Sequence, residues 1–261
     1  MAAISVKVKN RLLDGVKKFK PIVAKAHDKD VNESDTVAII TDILSEVFGY
    51  DKYFDITSEF AIKKTYCDLA LKIDGQPRIL IEAKAAGLNL KEQHIKQAVD
   101  YGSNSGVEWV ILTNSVQWMV YRIIFGKPVY AELVYDFDFT QLSLKKETDL
   151  ELLFYLTKEA MSRTGKASLD EYHSHKQVLN KFVVSQVLLS DPILDAIRKT
   201  LKKISPDAKG TNEEIYRIIM DEIIKRDVLD DERTPAAKKI VTKALAPAKK
   251  PVKKATINEE V

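Results

Sequence analysis

Cysteine is nearly absent: one residue in 261, Cys67, excludes an intrachain disulfide framework and any zinc site built from cysteines. It fits a reducing compartment. Long apolar runs are missing as well, and Met1 to Val6 leads directly into Lys7, Lys9 and Arg11, with no segment long enough for a signal peptide or a membrane span. The expected location is the cytoplasm, with no membrane contact. A charge excess of one sign is also lacking, since 41 Lys/Arg face 38 Asp/Glu for a net +3, so composition alone makes no case for nucleic acid. Nor is there a Gly-x-x-x-x-Gly-Lys-Ser/Thr loop, and ATP-driven translocation is not expected of this polypeptide.

What is present is a soluble globular composition, 45% hydrophobic and 30% charged, with enough length for one large domain or a domain plus a helical appendage. The charge is unevenly placed. From Glu232 to Val261 eight basic residues face three acids, a net of +5, which leaves the first 231 residues at −2.

Residues 5–27 carry helical spacing at Val8, Leu12, Val16, Phe19 and Val23, with an interruption expected at Pro21. Asn32 to Thr36 reads as an N-cap, and Val37, Ile40, Ile43, Leu44, Val47 and Phe48 form the stripe of a second helix ending at Gly49. Strand-like runs follow at 53–62, 66–73, 78–84, 108–113, 116–124 and 129–135, with turn chemistry at Asp74-Gly75 and Asn114-Ser115 and one helix over 91–103. That order predicts an α/β fold with a mixed sheet and a helical crossover. After Thr148 only helical stripes remain, broken at Asp191-Pro192 and Ser205-Pro206. The expected division is 1–147, a domain with its core at 30–135; 148–231, a helical C-terminal module; and 232–261, a basic tail rich in Lys, Ala and Pro and expected to be disordered.

Chemistry concentrates in the middle of the sheet region. In Ile79-Leu80-Ile81-Glu82-Ala83-Lys84 an apolar strand carries two charges, and burying charge without a partner is costly. If Asp74-Gly75 closes a hairpin, Asp68 falls close to Glu82, and period-two alternation puts Leu80, Glu82 and Lys84 on one face and Ile79, Ile81 and Ala83 on the other. Two converging carboxylates favour a raised pKa or a divalent cation, and an oxygen-rich site suits Mg²⁺ or Mn²⁺ better than zinc. Lys84 then stands beside the attacking water or the charge of the transition state. The chemistry expected of such a site is phosphodiester hydrolysis.

Asp68, thirteen intervening residues, and Glu82-Ala83-Lys84 on the following strand resemble the PD-(D/E)xK nuclease core. The surroundings resemble the N-terminal nuclease domain of type I restriction enzyme motor subunits, over residues 30–135. The resemblance implies a restriction-endonuclease-like sheet flanked by helices, a metal site of Asp68 and Glu82 assisted by Glu33, and a Gln-x-x-x-Tyr motif met by Gln97 and Tyr101. Asp68, Glu82, Lys84 and Gln97 are thereby the candidate catalytic set, with Gln97 and Tyr101 orienting rather than performing the chemistry. Cys67 stands where proline is common in that superfamily. The implied activity is a Mg²⁺- or Mn²⁺-dependent endonuclease acting on DNA in restriction, defence or a mobile element. Two alternatives stay open: a non-catalytic nucleic-acid- or protein-binding module on the same fold, and a nuclease subunit that needs a separate motor or specificity partner. A homodimer fits double-strand cleavage.

Blander readings accompany these residues. Glu33 serves equally well as a helix N-terminal acid, with Asp35 as its competitor. Trp109 and Trp118 read as core, His94 as a solvated residue, and His173 and His175 as pointing to different helix faces. The tail lysines Lys249, Lys250, Lys253 and Lys254 suit phosphate contacts and solubilisation alike.

Overall fold

We describe a computed structural model of the chain over residues 4–62, 65–162, 168–207 and 210–246. It divides into two compact units, Met1–His173 and Ser174–Val261.

The first unit opens with α1 (Val6–Asp28), where the Ser5 hydroxyl accepts from the Val8 N–H, and α2 (Glu33–Glu46), where Asn32 Oδ1 accepts from the Asp35 N–H. The break expected at Pro21 does not occur; Pro21 lies inside α1 on its exposed face, where water can satisfy the carbonyl that loses its partner. Six strands then form one sheet in sequence order: β1 (Ile56–Ile62), β2 (Thr65–Ile73), β3 (Gln76–Ala83), β4 (Trp109–Thr113), β5 (Gln117–Ile124) and β6 (Tyr130–Asp138). All neighbours are antiparallel except β3 and β4, which α3 (Glu92–Ser105) joins as a parallel pair. The fold is α/β with a mixed sheet, as the order of runs predicts.

Local chemistry explains the register. Asp74 and Gly75 both take positive φ, 52° and 75°, the backbone of a two-residue turn whose twist suits a hairpin, and they set Ile73 opposite Gln76. Alternation then sorts the two faces. Leu69, Leu71, Ile79, Ile81 and Ala83 join a core with Leu12, Val16 and Phe19 of α1 and Ile40, Ile43 and Leu44 of α2. Ala70, Leu80, Val110 and Ile123 pack on the other face with Tyr101, Val99 and Ile95 of α3. Gly102 lets α3 lie close: a β-carbon there would come within 2.8 Å of Ile123 Cγ1 and 3.0 Å of the Val107 carbonyl. Trp118 is buried, donates to the Ser115 carbonyl at 2.8 Å and stacks on Phe137, so it is core, as is Trp109.

Two expected boundaries move. The first unit runs past residue 147 because Leu150, Leu153 and Phe154 of α4 (Glu147–Tyr155) and Met161 of α5 (Lys158–Met161) complete the same core as α1. The helix α6 (Ser168–Val178) carries the chain across the boundary into α7 (Lys181–Leu188), α8 (Asp191–Ile204), α9 (Asn212–Ile218), a π-helical turn (Ile219–Ile223), α10 (Arg226–Leu229) and α11 (Thr234–Leu245). The basic segment expected to be disordered from 232 is helical over Thr234–Leu245, because Ala237 and Val241, one turn apart, pack against Phe182 and Val183 of α7. The tail residues Lys249, Lys250, Lys253 and Lys254 lie outside the described residues.

Candidate active site

The site forms where two hydrogen-bond ladders part. The β2–β3 ladder runs from Ile73 opposite Gln76 to Leu69 opposite Ile81, whereas the β3–β4 ladder continues to Ala83 opposite Thr113. Beyond Leu69 a side chain takes over: Asp68 Oδ2 accepts the Ala83 N–H at 2.7 Å. This single bond holds Asp68 beside Glu82, as the hairpin register predicts. On the other side of β3, the Lys84 N–H donates to the Thr113 carbonyl at 2.9 Å, so the backbone carrying both Glu82 and Lys84 is tied to both neighbours. The site thus sits at the carboxyl end of the parallel pair, the end of an α/β sheet where ligands bind.

Glu82 is the most enclosed of the group, with 1% of its surface exposed. Lys84 Nζ donates to Glu82 Oε1 at 2.7 Å and lies 3.6 Å from Glu33 Oε2. Glu82 Oε2, also buried, has no hydrogen-bond partner among the described residues. Such an atom costs about 1–3 kcal/mol or more when it is charged. Burial pushes the Glu82 carboxyl up to about 7, against the downward pull of the Lys84 hydrogen bond and with the added repulsion of Asp68. Asp68 is raised for the same first reason, burial, although the Ala83 N–H and the Lys84 charge oppose it. Burial by itself lowers Lys84, yet the hydrogen bond to Glu82 and the charges of Glu82, Glu33 and Asp68 carry it above its ordinary value. The three groups therefore form one electrostatic unit.

Glu33 is the first residue of α2 and half-exposed, and it approaches this unit through Lys84. Among the described residues no three His, Cys, Asp or Glu side chains are arranged to hold a metal ion. The carboxylates that meet most closely are thus a pair, Asp68 and Glu82, with Glu33 3.6 Å from the Lys84 ammonium. From α3, the Gln97 side-chain amide donates to the Tyr101 hydroxyl at 2.5 Å. Burial raises the Tyr101 hydroxyl, and the charges of Glu82 and Asp68 add to that rise, which places this phenol within the field of the carboxylates. The structure therefore brings Glu33, Asp68, Glu82, Lys84, Gln97 and Tyr101 to one end of the sheet.

Some neighbours were not legible beforehand. Cys67 Sγ faces the Leu69 and Ile81 carbonyls, and burial, followed by the charges of Glu82 and Asp68, pushes its thiol up to about 12, so it is inert packing. His173 is buried elsewhere in this unit: its Nδ1 accepts from Arg122 and its Nε2 meets Glu132 at 3.0 Å, a link between α6 and the sheet. No helix among the described residues is long and apolar enough to cross a membrane.

A search of curated proteins and a search of solved structures return no match. A family model does match, over residues 39–137, a span that contains Asp68, Glu82, Lys84, Gln97 and Tyr101 and stops short of Glu33. That part of the chain, the sheet and most of its candidate site, is similar to the type I restriction enzyme R protein N terminus.

Proposed function

We propose that the protein is a divalent-metal-dependent endonuclease that hydrolyses DNA phosphodiester bonds in a restriction, defence or mobile-element setting, on a PD-(D/E)xK-type site. The observation that carries this reading is the buried, unpartnered Oε2 of Glu82 beside Asp68. A pair of carboxylates with one free buried oxygen fits Mg²⁺ or Mn²⁺, which take one or two protein carboxylates and complete their shell with water and substrate phosphate. Asp68 and Glu82 are the residues that hold the ion. The chemistry a bound divalent cation supplies is charge on a phosphoryl oxygen and a lowered pKa for water.

The chain's own residues do the rest. Lys84, a compact ammonium at the strand end, donates hydrogen bonds to the attacking water or to the phosphoryl oxygens as negative charge develops on them. Its present bond to Glu82 keeps the ammonium aimed into the site. Glu33 offers Lys84 a second carboxylate, and Gln97 with Tyr101 orients the substrate along α3. The water oxygen bonds to phosphorus and gives its proton to solvent, as the phosphorus–oxygen bond to the leaving strand breaks and that oxygen takes up a proton from solvent.

The test is incubation of the purified protein with plasmid, modified DNA and single-stranded DNA in Mg²⁺, Mn²⁺ or EDTA, with Lys84→Ala alongside. Cleavage in Mg²⁺ or Mn²⁺, absent in EDTA and in the variant, is the expected result. Cleavage retained by Lys84→Ala removes the proposed site, and binding without cleavage under every condition favours a non-catalytic module. Similarity to a family described as the N terminus of an R protein supports a second reading, a nuclease that acts only with a separate motor or specificity subunit. Cleavage that appears only with a co-purified partner singles it out.

A further inference from the structure

We propose that His94 is a substrate-positioning residue that donates a hydrogen bond from Nε2 to a backbone phosphate flanking the scissile bond. This rests on the nuclease reading above.

The argument starts with the direction of α3. A helix joining two parallel neighbours runs antiparallel to them, so the amino end of α3 lies beyond the carboxyl end of β3, where the carboxylates are. His94, Gln97 and Tyr101 are spaced i, i+3 and i+7, which aligns them in one row on that helix. Tyr101, at the inner end of the row, is buried and feels the charges of Glu82 and Asp68. Gln97 is exposed and His94 half-buried, while their neighbours Ile95 and Val99 pack on the sheet, so this row runs along the flank of α3. At about 1.5 Å per residue, His94 stands roughly 10 Å further out than Tyr101. One strand of duplex DNA advances about 3.4 Å of axis per nucleotide, so a chain whose scissile phosphate lies at the carboxylates presents a phosphate two or three nucleotides away at the level of His94.

The protonation state of the ring also follows from geometry. The Lys91 N–H donates to His94 Nδ1 at 3.1 Å, so Nδ1 is the acceptor nitrogen and the neutral ring carries its proton on Nε2. Nε2 has the Gln93 side-chain amide nitrogen at 3.5 Å, donor against donor, so that contact does not use the Nε2 proton. The ring is therefore anchored on one side and offers a donor on the other. A phosphate also gains from the positive end of the α3 dipole, near which His94 sits in the first turn.

The experiment uses the full-length chain, its His94→Ala and His94→Gln variants, and two readouts: steady-state cleavage of supercoiled plasmid in Mg²⁺, and binding of a fluorescent duplex in EDTA. Loss of one charge-assisted hydrogen bond predicts that His94→Ala raises KM and the EDTA Kd about tenfold, with kcat within about threefold of wild type. His94→Gln supplies an oxygen for the Lys91 N–H, as a glutamine does at this position of a capping box, and an amide donor outward, so both constants stay within about threefold of wild type. If His94 only caps α3, His94→Ala lowers the melting temperature and leaves KM and Kd unchanged, and the proposal is overturned. If the wild-type protein does not cleave DNA under any condition, it is the nuclease reading that fails. The EDTA arm then decides His94 by itself: tenfold weaker binding by His94→Ala upholds the contact, and equal binding, or no binding by wild type, rejects it.

Discussion

The two units handle polar groups in opposite ways. In Met1–His173 the sheet is covered on both faces, and Thr36, Glu82, Thr113, Asn114, Ser115, Thr157 and His173 are all buried within it. Among the described residues of the second unit the buried polar side chain is Ser185, while its ion pairs, such as Lys181 with Asp227 and Arg217 with Glu213, sit in solvent, where screening leaves them little effect on stability. Apolar exposure does not separate them: Ile204, Ile223 and Leu179 of the second unit lie largely open, and so do Tyr53, Phe54 and Val6 of the first. Charge differs as well. The first unit holds 23 basic and 25 acidic residues and the second 18 and 13, so the unit that carries the candidate site has no positive excess of its own for a polyanion. A covered sheet can enclose a carboxylate and raise its proton affinity, whereas small helical layers leave charge in water, where it does little beyond solubility and steering.

The strongest way to break this comparison is at the charge itself. Asp68→Asn keeps an oxygen for the Ala83 N–H and loses the anion, so cleavage in Mg²⁺ is expected to fall by about a thousandfold or more with the melting temperature nearly unchanged. An Asn variant that cleaves normally removes Asp68 from the site. The cores offer the next largest effects. Trp118→Ala is expected to cost about 3–5 kcal/mol in denaturant unfolding of the first unit, because it empties a fully enclosed ring site between Phe48 and Phe137. Phe182→Ala empties a similar place in the second unit between α7 and α11, and it should lower that unit's stability by a comparable amount while leaving Mg²⁺-dependent cleavage intact. Equal loss of cleavage in both variants would merge the two units functionally.

Glu82 sharpens the contrast through pH. Its folded pKa, about 7, exceeds that of the unfolded carboxyl, so the folded state binds the proton more tightly and stability falls as pH rises from about 4.5 to 7. In divalent-free buffer, Glu82→Gln is expected to flatten the fall in melting temperature over that window, an effect on the order of 1–3 kcal/mol. An unchanged slope would assign the titration to another group. A smaller effect is expected at the contact of α3 with the sheet. Gly102→Ala forces a β-carbon against Ile123 and the Val107 carbonyl and should cost about 1–2 kcal/mol, with a rise in KM if α3 shifts with its row of substrate-facing residues.

Much of this was readable before any coordinates. The six strand runs, the Asp74-Gly75 hairpin, the crossover helix and the alternation that sends Glu82 to one face and Ala83 to the other all arise from local pattern, because side-chain period and turn backbone are properties of neighbouring residues. Pro21 misled because a proline's effect depends on whether its helix face meets water or core, which the sequence does not state. The segment at 234–245 misled for a related reason. Its lysines and alanines have the composition of a disordered tail, yet Ala237 and Val241 gain a partner in α7 that is more than fifty residues away in the chain.

The sequence by itself determined the residue types of the site, their strand positions and the chemistry those types allow, since charge placed on an apolar strand needs a partner wherever it folds. Only the tertiary structure decided the pairings. Asp68 completes the ladder at Ala83, Lys84 bonds Glu82 and approaches Glu33, and Glu82 keeps one buried oxygen that has no partner among the described residues. These are matters of distance and burial between separate segments of the chain, and a shift of an ångström or two, invisible in any spacing of letters, separates a paired carboxylate oxygen from an unpaired one.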